Sequence, residues 1–276
     1  MPKTVILSSA RTPIGKLGGA LSAVDATELG ATAIRAALER AEVGADQVQH
    51  VVMGQVLQAG QGQIPSRQAQ IKAGIPKEVS SETINKVCAS SVRAVGLLDA
   101  AFRAGDLELG VAGGMESMSS APYLLKGARF GLRMGDGQAL DAMIHDGLTD
   151  PFTGKQMFVE ATEVGDELEM TRPDLDRWAL RSHERAIAAT DEGRLAEEIV
   201  AVTIPSRRGD TRVEVDEAPR RETSLEALSK LPGLHGKDGS HTAGNSPGVN
   251  DGAGAVVVAS DEWARANGRE VLAEVV

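Results

Sequence analysis

Cys88 is the only cysteine in the 276-residue chain, and it lies within a segment, Ser81 to Arg103, that could present its thiol as a nucleophile. Residues 82–85 have the β-branched composition of a short strand, and the residues after Cys88, including Val92, have the apolar spacing of a buried helix. A thiol at this junction lies beside a helix N-terminus, where free N–H groups and the helix dipole favour the thiolate. The segment therefore predicts a nucleophile for acyl transfer. The residues alone leave open a second interpretation, a small buried cysteine that only packs.

The elements that would position Cys88 alternate between strands and helices. We predict strands at 4–8, 50–56, 109–112, 199–204 and 253–259, and helices from Asp25 to about Gly44, over 67–73, from Thr171 to about Glu192 and over 261–267. Alternation of this kind in the first 118 residues indicates an α/β fold, a layered sheet with helices on its faces.

A change of composition divides the chain. From residue 119 the sequence becomes rich in glycine and turn residues, and the strand–helix pattern returns at residue 249. We therefore predict one domain made of residues 1–118 and 249–268, interrupted by an inserted domain of residues 119–248.

Composition excludes several classes of function. The content of 42% hydrophobic and 25% charged residues is that of an ordinary globular protein, and a formal net charge of −10 argues against nucleic acid as a partner. Its apolar runs are shorter than the roughly 18 residues of a membrane span, and the N-terminus reads as a strand rather than a signal peptide. The five histidines are scattered, so we expect no metal site, and a lone cysteine fits a reducing cytoplasm.

Five segments of the chain resemble the thiolases in order and spacing. They are residues 85–94 around Cys88, residues 9–15, residues 112–119, residues 180–183, and residues 243–245 together with 250–253. The resemblance implies a thiolase-like layered α/β fold, one half of an α/β/α/β/α arrangement, with a CoA-binding loop domain inserted at 119–248. Residues 269–276 resemble the first strand of the family's C-terminal domain.

The chemistry that the resemblance implies is acyl transfer between CoA thioesters. Cys88 would take the acyl group as a thioester, its backbone N–H would help to form an oxyanion hole, and free CoA or a second thioester would complete thiolysis or condensation. No bound cofactor is implied, because CoA thioesters are the substrates. We expect a homo-oligomer, either a dimer or a tetramer.

Two elements of the family's active site have no counterpart in this sequence. They are a histidine in a Gly-His-Pro segment and a second cysteine in a Cys-x-Gly segment, both of which belong to the family's C-terminal domain. The expectation is therefore that this chain alone is an impaired thiolase, with a complementary C-terminal half as a possible partner. The alternative is a non-catalytic CoA-binding or dimerising module. A redox role for Cys88 is less favoured because the chain has no second cysteine to resolve an oxidised thiol.

The resemblance also assigns contacts with the substrate. Leu148 and Met157 match apolar positions near the pantetheine and the acyl chain, Arg220 matches a basic residue at the nucleotide end, and Ala243 matches a tunnel wall. The family's pantetheine-binding serine falls at Pro247, so the neighbouring Ser246 is the candidate for that contact. The residues alone also allow Arg220 to be a solvated loop arginine, and Leu148 and Met157 to be core residues.

Overall fold

The computed structural model describes residues 2–207, 209–236 and 239–276, which form two compact units. The first unit comprises Met1–Ser120, Ala196–Val215 and Asn250–Val276, and the second comprises Ala121–Leu195 and Asp216–Val249. These bounds differ from the predicted domains mainly in two segments. Residues 196–215 belong to the first unit rather than to the inserted segment, and residues 269–276 also belong to the first unit, where β11 pairs with β1.

The described residues contain the following elements. The strands are β1 (Thr4–Arg11), β2 (Gly15–Lys16), β3 (His50–Gly54), β4 (Ser80–Ile84), β5 (Leu109–Ser117), β6 (Tyr123–Leu125), β7 (Ala139–Asp141), β8 (Val202–Ile204), β9 (Thr211–Val213), β10 (Asn250–Ser260) and β11 (Ala273–Glu274). The α-helices are α1 (Ala26–Arg40), α2 (Pro65–Lys72), α3 (Ser90–Ala104), α4 (Met157–Glu167), α5 (Arg172–Asp191), α6 (Leu225–Ser229) and α7 (Asp261–Ala266). Shorter helical turns span Ala45–Gln47, Met118–Ser120, Ala128–Phe130, Met143–Leu148 and Arg194–Glu197.

The first unit is built on one mixed sheet with the strand order β11-β1-β10-β5-β3-β4. Strands β5, β3 and β4 run parallel, whereas β10 pairs antiparallel with both β1 and β5. The parallel strands bring the end of β4, just before Cys88, to the same edge as the ends of β3 and β5. The predicted layered α/β fold is confirmed.

Helices cover both faces of this sheet. On one face α1 and α2 enclose a core that includes Leu29, Ile34 and Met53. On the other face α3 packs Leu98 and Phe102 against the sheet. Burying a side chain such as Phe102 contributes about 2–3 kcal/mol, so these two cores fix where α3, and hence its N-terminus, lies.

The buried stripe of α3 differs from the predicted one. Its fully buried residues are Ser90, Ala94, Leu98 and Phe102, spaced four residues apart, which is the repeat of one helix face. Val92 lies off this stripe and is 75% exposed. The expectation that Val92 is buried is therefore wrong, because Ser90 and Ala94, on the same face as Leu98 and Phe102, are the residues that face the sheet in the first half of α3.

Residues 196–215 join the first unit through the edge of β1. The backbone N–H of Arg11 donates to Glu198 O at 3.0 Å, and the N–H of Val200 donates to Arg11 O at 2.8 Å. The guanidinium of Arg40 on α1 also donates to Glu198 O at 3.0 Å. These bonds attach residues 196–215 to the first unit, although their position in the sequence places them within the predicted insertion.

The second unit is organised by α5. The predicted start of this helix is confirmed, because Thr171 accepts from the Asp174 N–H and the Asp174 carboxylate accepts from the Thr171 N–H. Asp176, 3% exposed, accepts from Arg172 Nε at 2.8 Å and from Asn245 Nδ2 at 2.9 Å. This buried group ties the 242–246 turn to the helix.

Among the helices of the described residues, none has both the length and the hydropathy that crossing a bilayer requires.

Candidate active site

Cys88 lies in the turn between β4 and α3, one residue before Ala89, the N-cap of α3. Its side chain is exposed. The interpretation of Cys88 as a buried packing residue is therefore wrong, and the predicted junction of strand, cysteine and helix is present. An exposed thiol at the start of a helix is accessible to an incoming electrophile.

The turn that carries Cys88 contains a backbone conformation that few residues adopt. Val87 has a φ of 50°, and for a β-branched residue this left-handed conformation costs about 1–3 kcal/mol. The N–H of Val87 donates to Asn85 Oδ1 at 2.9 Å. The buried Ser90 hydroxyl accepts from the Lys86 N–H at 2.8 Å and donates to Val87 O at 2.6 Å. Hydrogen bonds on both sides thus hold Val87, the residue before Cys88, in place.

Glycines in the sheet let the start of α3 approach closely. A Cβ added to Gly54, the last residue of β3, would lie 2.5 Å from Ser90 Cβ and 2.9 Å from the Ser90 carbonyl carbon. A Cβ added to Gly114 on β5 would lie 3.1 Å from Ser91 Cβ. Any side chain at Gly54 would therefore displace the first turn of α3 and Cys88 with it.

Cys88 opens onto a cavity of about 300 Å³ whose lining also includes Gln55, Glu116 and Gly252. The half-buried Glu116 carboxylate accepts from the Val56 N–H at 2.8 Å and from the Leu57 N–H at 3.3 Å. Burial raises the pKa of Glu116 above its ordinary value, although the N–H donors of Val56 and Leu57 act in the opposite direction. The cavity thus combines a thiol with a carboxylate that is bonded to the backbone.

The predicted substrate-binding residues all lie in the second unit. Leu148 ends the helical turn Met143–Leu148 and Met157 begins α4, and a backbone bridge between Thr149 and Gln156 brings these two residues together. Leu148 is half-buried and Met157 is 43% exposed, so neither is a fully buried core residue.

The other three predicted contacts lie on turns. Arg220 is exposed, and its backbone N–H donates to His183 Nδ1 at 3.2 Å. Ala243 is exposed beside Ser246, whose hydroxyl oxygen is buried and has no hydrogen-bond partner among the described residues. The assignment of all five residues to substrate contacts stays a prediction.

Ser90 and Glu116 both fall in segments that resemble the thiolases, residues 85–94 and 112–119. The hydrogen bonds that their side chains make are seen only in the structure. A signal for Glu116 was available, because it is the only charged residue in the small and apolar strand β5. Across residues 2–207, 209–236 and 239–276, no group of three or more His, Cys, Asp and Glu side chains could hold a metal ion.

Comparisons with known proteins agree with this geometry. A family model described as "Thiolase, N-terminal domain" matches residues 4–262. An acetyl-CoA acetyltransferase from Pseudomonas aeruginosa is 46% identical over 276 residues, which cover the whole chain and 70% of that protein. An acetyl-CoA acetyltransferase from Cupriavidus necator is 49% identical with the same coverage.

A solved structure is similar as well. The acetyl-CoA acetyltransferase from Syntrophomonas wolfei matches with a TM-score of 0.97 at 38% identity, covering 100% of this chain and 69% of that one. Identity above 30% over the whole chain, together with a family model that matches most of it, identifies the family. The chain belongs to the thiolase family.

Proposed function

We propose that the chain acts in acyl transfer between CoA thioesters, with Cys88 as the residue that carries the acyl group. The observation that carries the proposal is an exposed thiol in a hydrogen-bonded turn at the start of α3, in a chain of the thiolase family. Its relatives from Pseudomonas aeruginosa and Cupriavidus necator are named acetyl-CoA acetyltransferases.

In the proposed first step the Cys88 Sγ attacks the carbonyl carbon of an acyl-CoA. A bond forms between Sγ and the carbonyl carbon, the bond from that carbon to the CoA sulfur breaks, and CoA leaves as a thiol with the proton that Cys88 gave up. Free CoA or a second thioester then takes the acyl group from Cys88. We include Leu148, Met157, Arg220, Ala243 and Ser246 as contacts of the CoA thioester, on the basis of the family resemblance.

Mass spectrometry of the intact chain after incubation with acetyl-CoA tests the proposal. We expect one acetyl group per chain, and since Cys88 is the only cysteine, a Cys88→Ala variant must lose it. An unmodified wild-type chain that is folded by circular dichroism would contradict an acyl-carrying role. Binding of CoA without acetylation would favour a CoA-binding module instead.

We further propose that the chain self-associates. The second unit exposes large apolar side chains close together in sequence, among them Tyr123, Phe130 and Met134, which are 67%, 86% and 98% exposed. Exposed apolar side chains mark interaction surfaces where they form a contiguous patch, and we propose that these side chains contribute to one. Light scattering should give the mass of a dimer or tetramer, and a Phe130→Ser, Met134→Ser double variant should shift the mass downward. A wild-type mass equal to one chain would contradict the proposal.

A further inference from the structure

The Glu116 side chain joins the end of β5 to the residues that follow β3. It lies on β5, which pairs in parallel with β3 as far as Gly54 opposite Gly114. Beyond that point β3 turns away, and the Glu116 carboxylate binds the N–H groups of Val56 and Leu57 in place of a strand partner. A charged acceptor makes such bonds roughly twice as strong as a neutral one.

The segment that Glu116 holds also contacts the nucleophile turn. The N–H of Gln55 donates to Ile84 O at 3.0 Å, and Asn85 Nδ2 donates to Val56 O at 3.4 Å. The same Asn85 side chain accepts from the Val87 N–H. A continuous set of hydrogen bonds therefore leads from Glu116 through Val56 and Asn85 to the residue before Cys88.

The position of Glu116 suits support rather than proton transfer. Both of its carboxylate oxygens accept backbone N–H groups, at 2.8 Å for one and 3.3 Å for the other. It nevertheless lines the same cavity as Cys88, so a shift of the segment that it holds changes the wall of the cavity.

We propose that Glu116 is a positioning residue, which holds the Gln55–Leu57 segment and through Asn85 keeps Val87 in its left-handed conformation, so that Cys88 is placed for attack on a thioester. The kinetic part of this inference rests on the proposed acyl transfer, whereas the structural part does not. Loss of the carboxylate leaves the N–H groups of Val56 and Leu57 without their acceptor and lets the turn relax. A displacement of a reacting group by about 1 Å is enough to lower a reaction rate strongly.

The test uses three variants of the full chain. Glu116→Ala removes the acceptor, Glu116→Gln keeps one acceptor oxygen without the charge, and Glu108→Ala is the matched control, since Glu108 is exposed directly before the other end of β5. Amide hydrogen exchange of residues 87–90 reports the turn, and the rate of Cys88 acetylation as a function of acetyl-CoA concentration reports positioning.

In Glu116→Ala we expect faster exchange at residues 87–90 and a maximal acetylation rate lower by about tenfold, with the half-saturating acetyl-CoA concentration unchanged. Glu116→Gln should recover part of both effects, and Glu108→Ala should match the wild type. If residues 87–90 exchange in Glu116→Ala as slowly as in the wild type, the inference is overturned. It is also overturned if circular dichroism shows that Glu116→Ala loses its acetylation rate because the chain is unfolded. If the wild-type chain takes no acetyl group, the proposed acyl transfer fails, and the exchange data still decide the role of Glu116.

Discussion

Replacing Gly54 with alanine tests whether the sheet and the start of α3 meet as closely as the structure indicates. The added Cβ would lie 2.5 Å from Ser90 Cβ, 2.9 Å from the Ser90 carbonyl carbon and 3.0 Å from the Ser91 nitrogen. Carbon atoms in contact are ordinarily about 3.5–4.0 Å apart. Because two of these three neighbours are backbone atoms of the first turn of α3, a change of rotamer cannot relieve the overlap. Overpacking of this kind should lower the free energy of unfolding by about 1–3 kcal/mol.

Gly96 provides a matched control in α3 itself. A Cβ there would meet only Arg93 Nη1, at 3.8 Å. The same substitution at this mid-helix position should raise the free energy of unfolding by about 0.5–1 kcal/mol, because alanine loses less backbone entropy than glycine. The two variants thus have opposite expected signs for one chemical change.

Urea unfolding followed by tryptophan fluorescence measures both free energies. In a Trp178→Phe background the only tryptophan is Trp263, which packs against the core of the first unit. The rate of Cys88 alkylation by iodoacetamide gives a second readout, and it reports one site because the chain has one cysteine. We expect an altered alkylation rate in Gly54→Ala and an unaltered one in Gly96→Ala. A Gly54→Ala chain as stable as the wild type, with unchanged alkylation, would refute the close approach of α3 to β3.

Two further predictions concern the second unit. Arg172→Met leaves the buried Asp176 carboxylate without its cation, so the free energy of unfolding in urea should fall by about 3 kcal/mol. Lys230→Met, which breaks the exposed Lys230–Glu226 pair, is the control. A smaller loss in Arg172→Met than in Lys230→Met would contradict the argument from burial. Burial and the nearby Arg220 charge lower the pKa of His183 below its ordinary value of 6.5. As the pH falls, His183 is therefore protonated in the unfolded chain before it is protonated in the folded chain. The free energy of unfolding should accordingly decrease as the pH drops below about 6.5. His183→Gln should remove that part of the pH dependence, and identical profiles for the two chains would refute the assignment.

The predictable parts of the fold are those encoded by neighbouring residues. The Thr171–Asp174 cap and the alternation of strands and helices follow from contacts within a few positions. The junction of strand and helix at Cys88 likewise follows from the change between the strand pattern and the helix pattern. The exposure of Val92 does not follow from the sequence. The spacing of apolar residues shows that one face of α3 is buried, but it does not decide between the face of Val92 and that of Ala94.

The unpredictable parts depend on residues far apart in the chain. The segment around Glu198 joins β1 through bonds to Arg11 across 187 positions, and no local pattern distinguishes this arrangement from a strand within the insertion. Glu116 reaches Val56 across 60 positions. The charge of Glu116 within an apolar strand indicates that the carboxylate has a buried hydrogen-bond partner, but it does not identify the backbone groups of Val56 and Leu57 as that partner.

The Cys88 turn shows why such distant contacts are needed. Its local support within residues 85–90 consists of five hydrogen bonds. Val87 donates to the Asn85 side chain, the Ser90 hydroxyl makes two bonds, and the backbone N–H groups of Ala89 and Ser90 donate to Lys86 O and Val87 O. Each has a net worth of about 0.5–1.5 kcal/mol. Against them stand the strain at Val87, about 1–3 kcal/mol, and the backbone entropy of ordering residues 85–90, about 1–2 kcal/mol per residue. The local bonds are therefore insufficient, and an isolated helix of the length of α3 is itself marginal in water. The turn must be held by the sheet, through the close approach at Gly54 and the bonds of Glu116. The segment from Ser81 to Arg103 thus contains Cys88, but the rest of the first unit gives this segment its conformation.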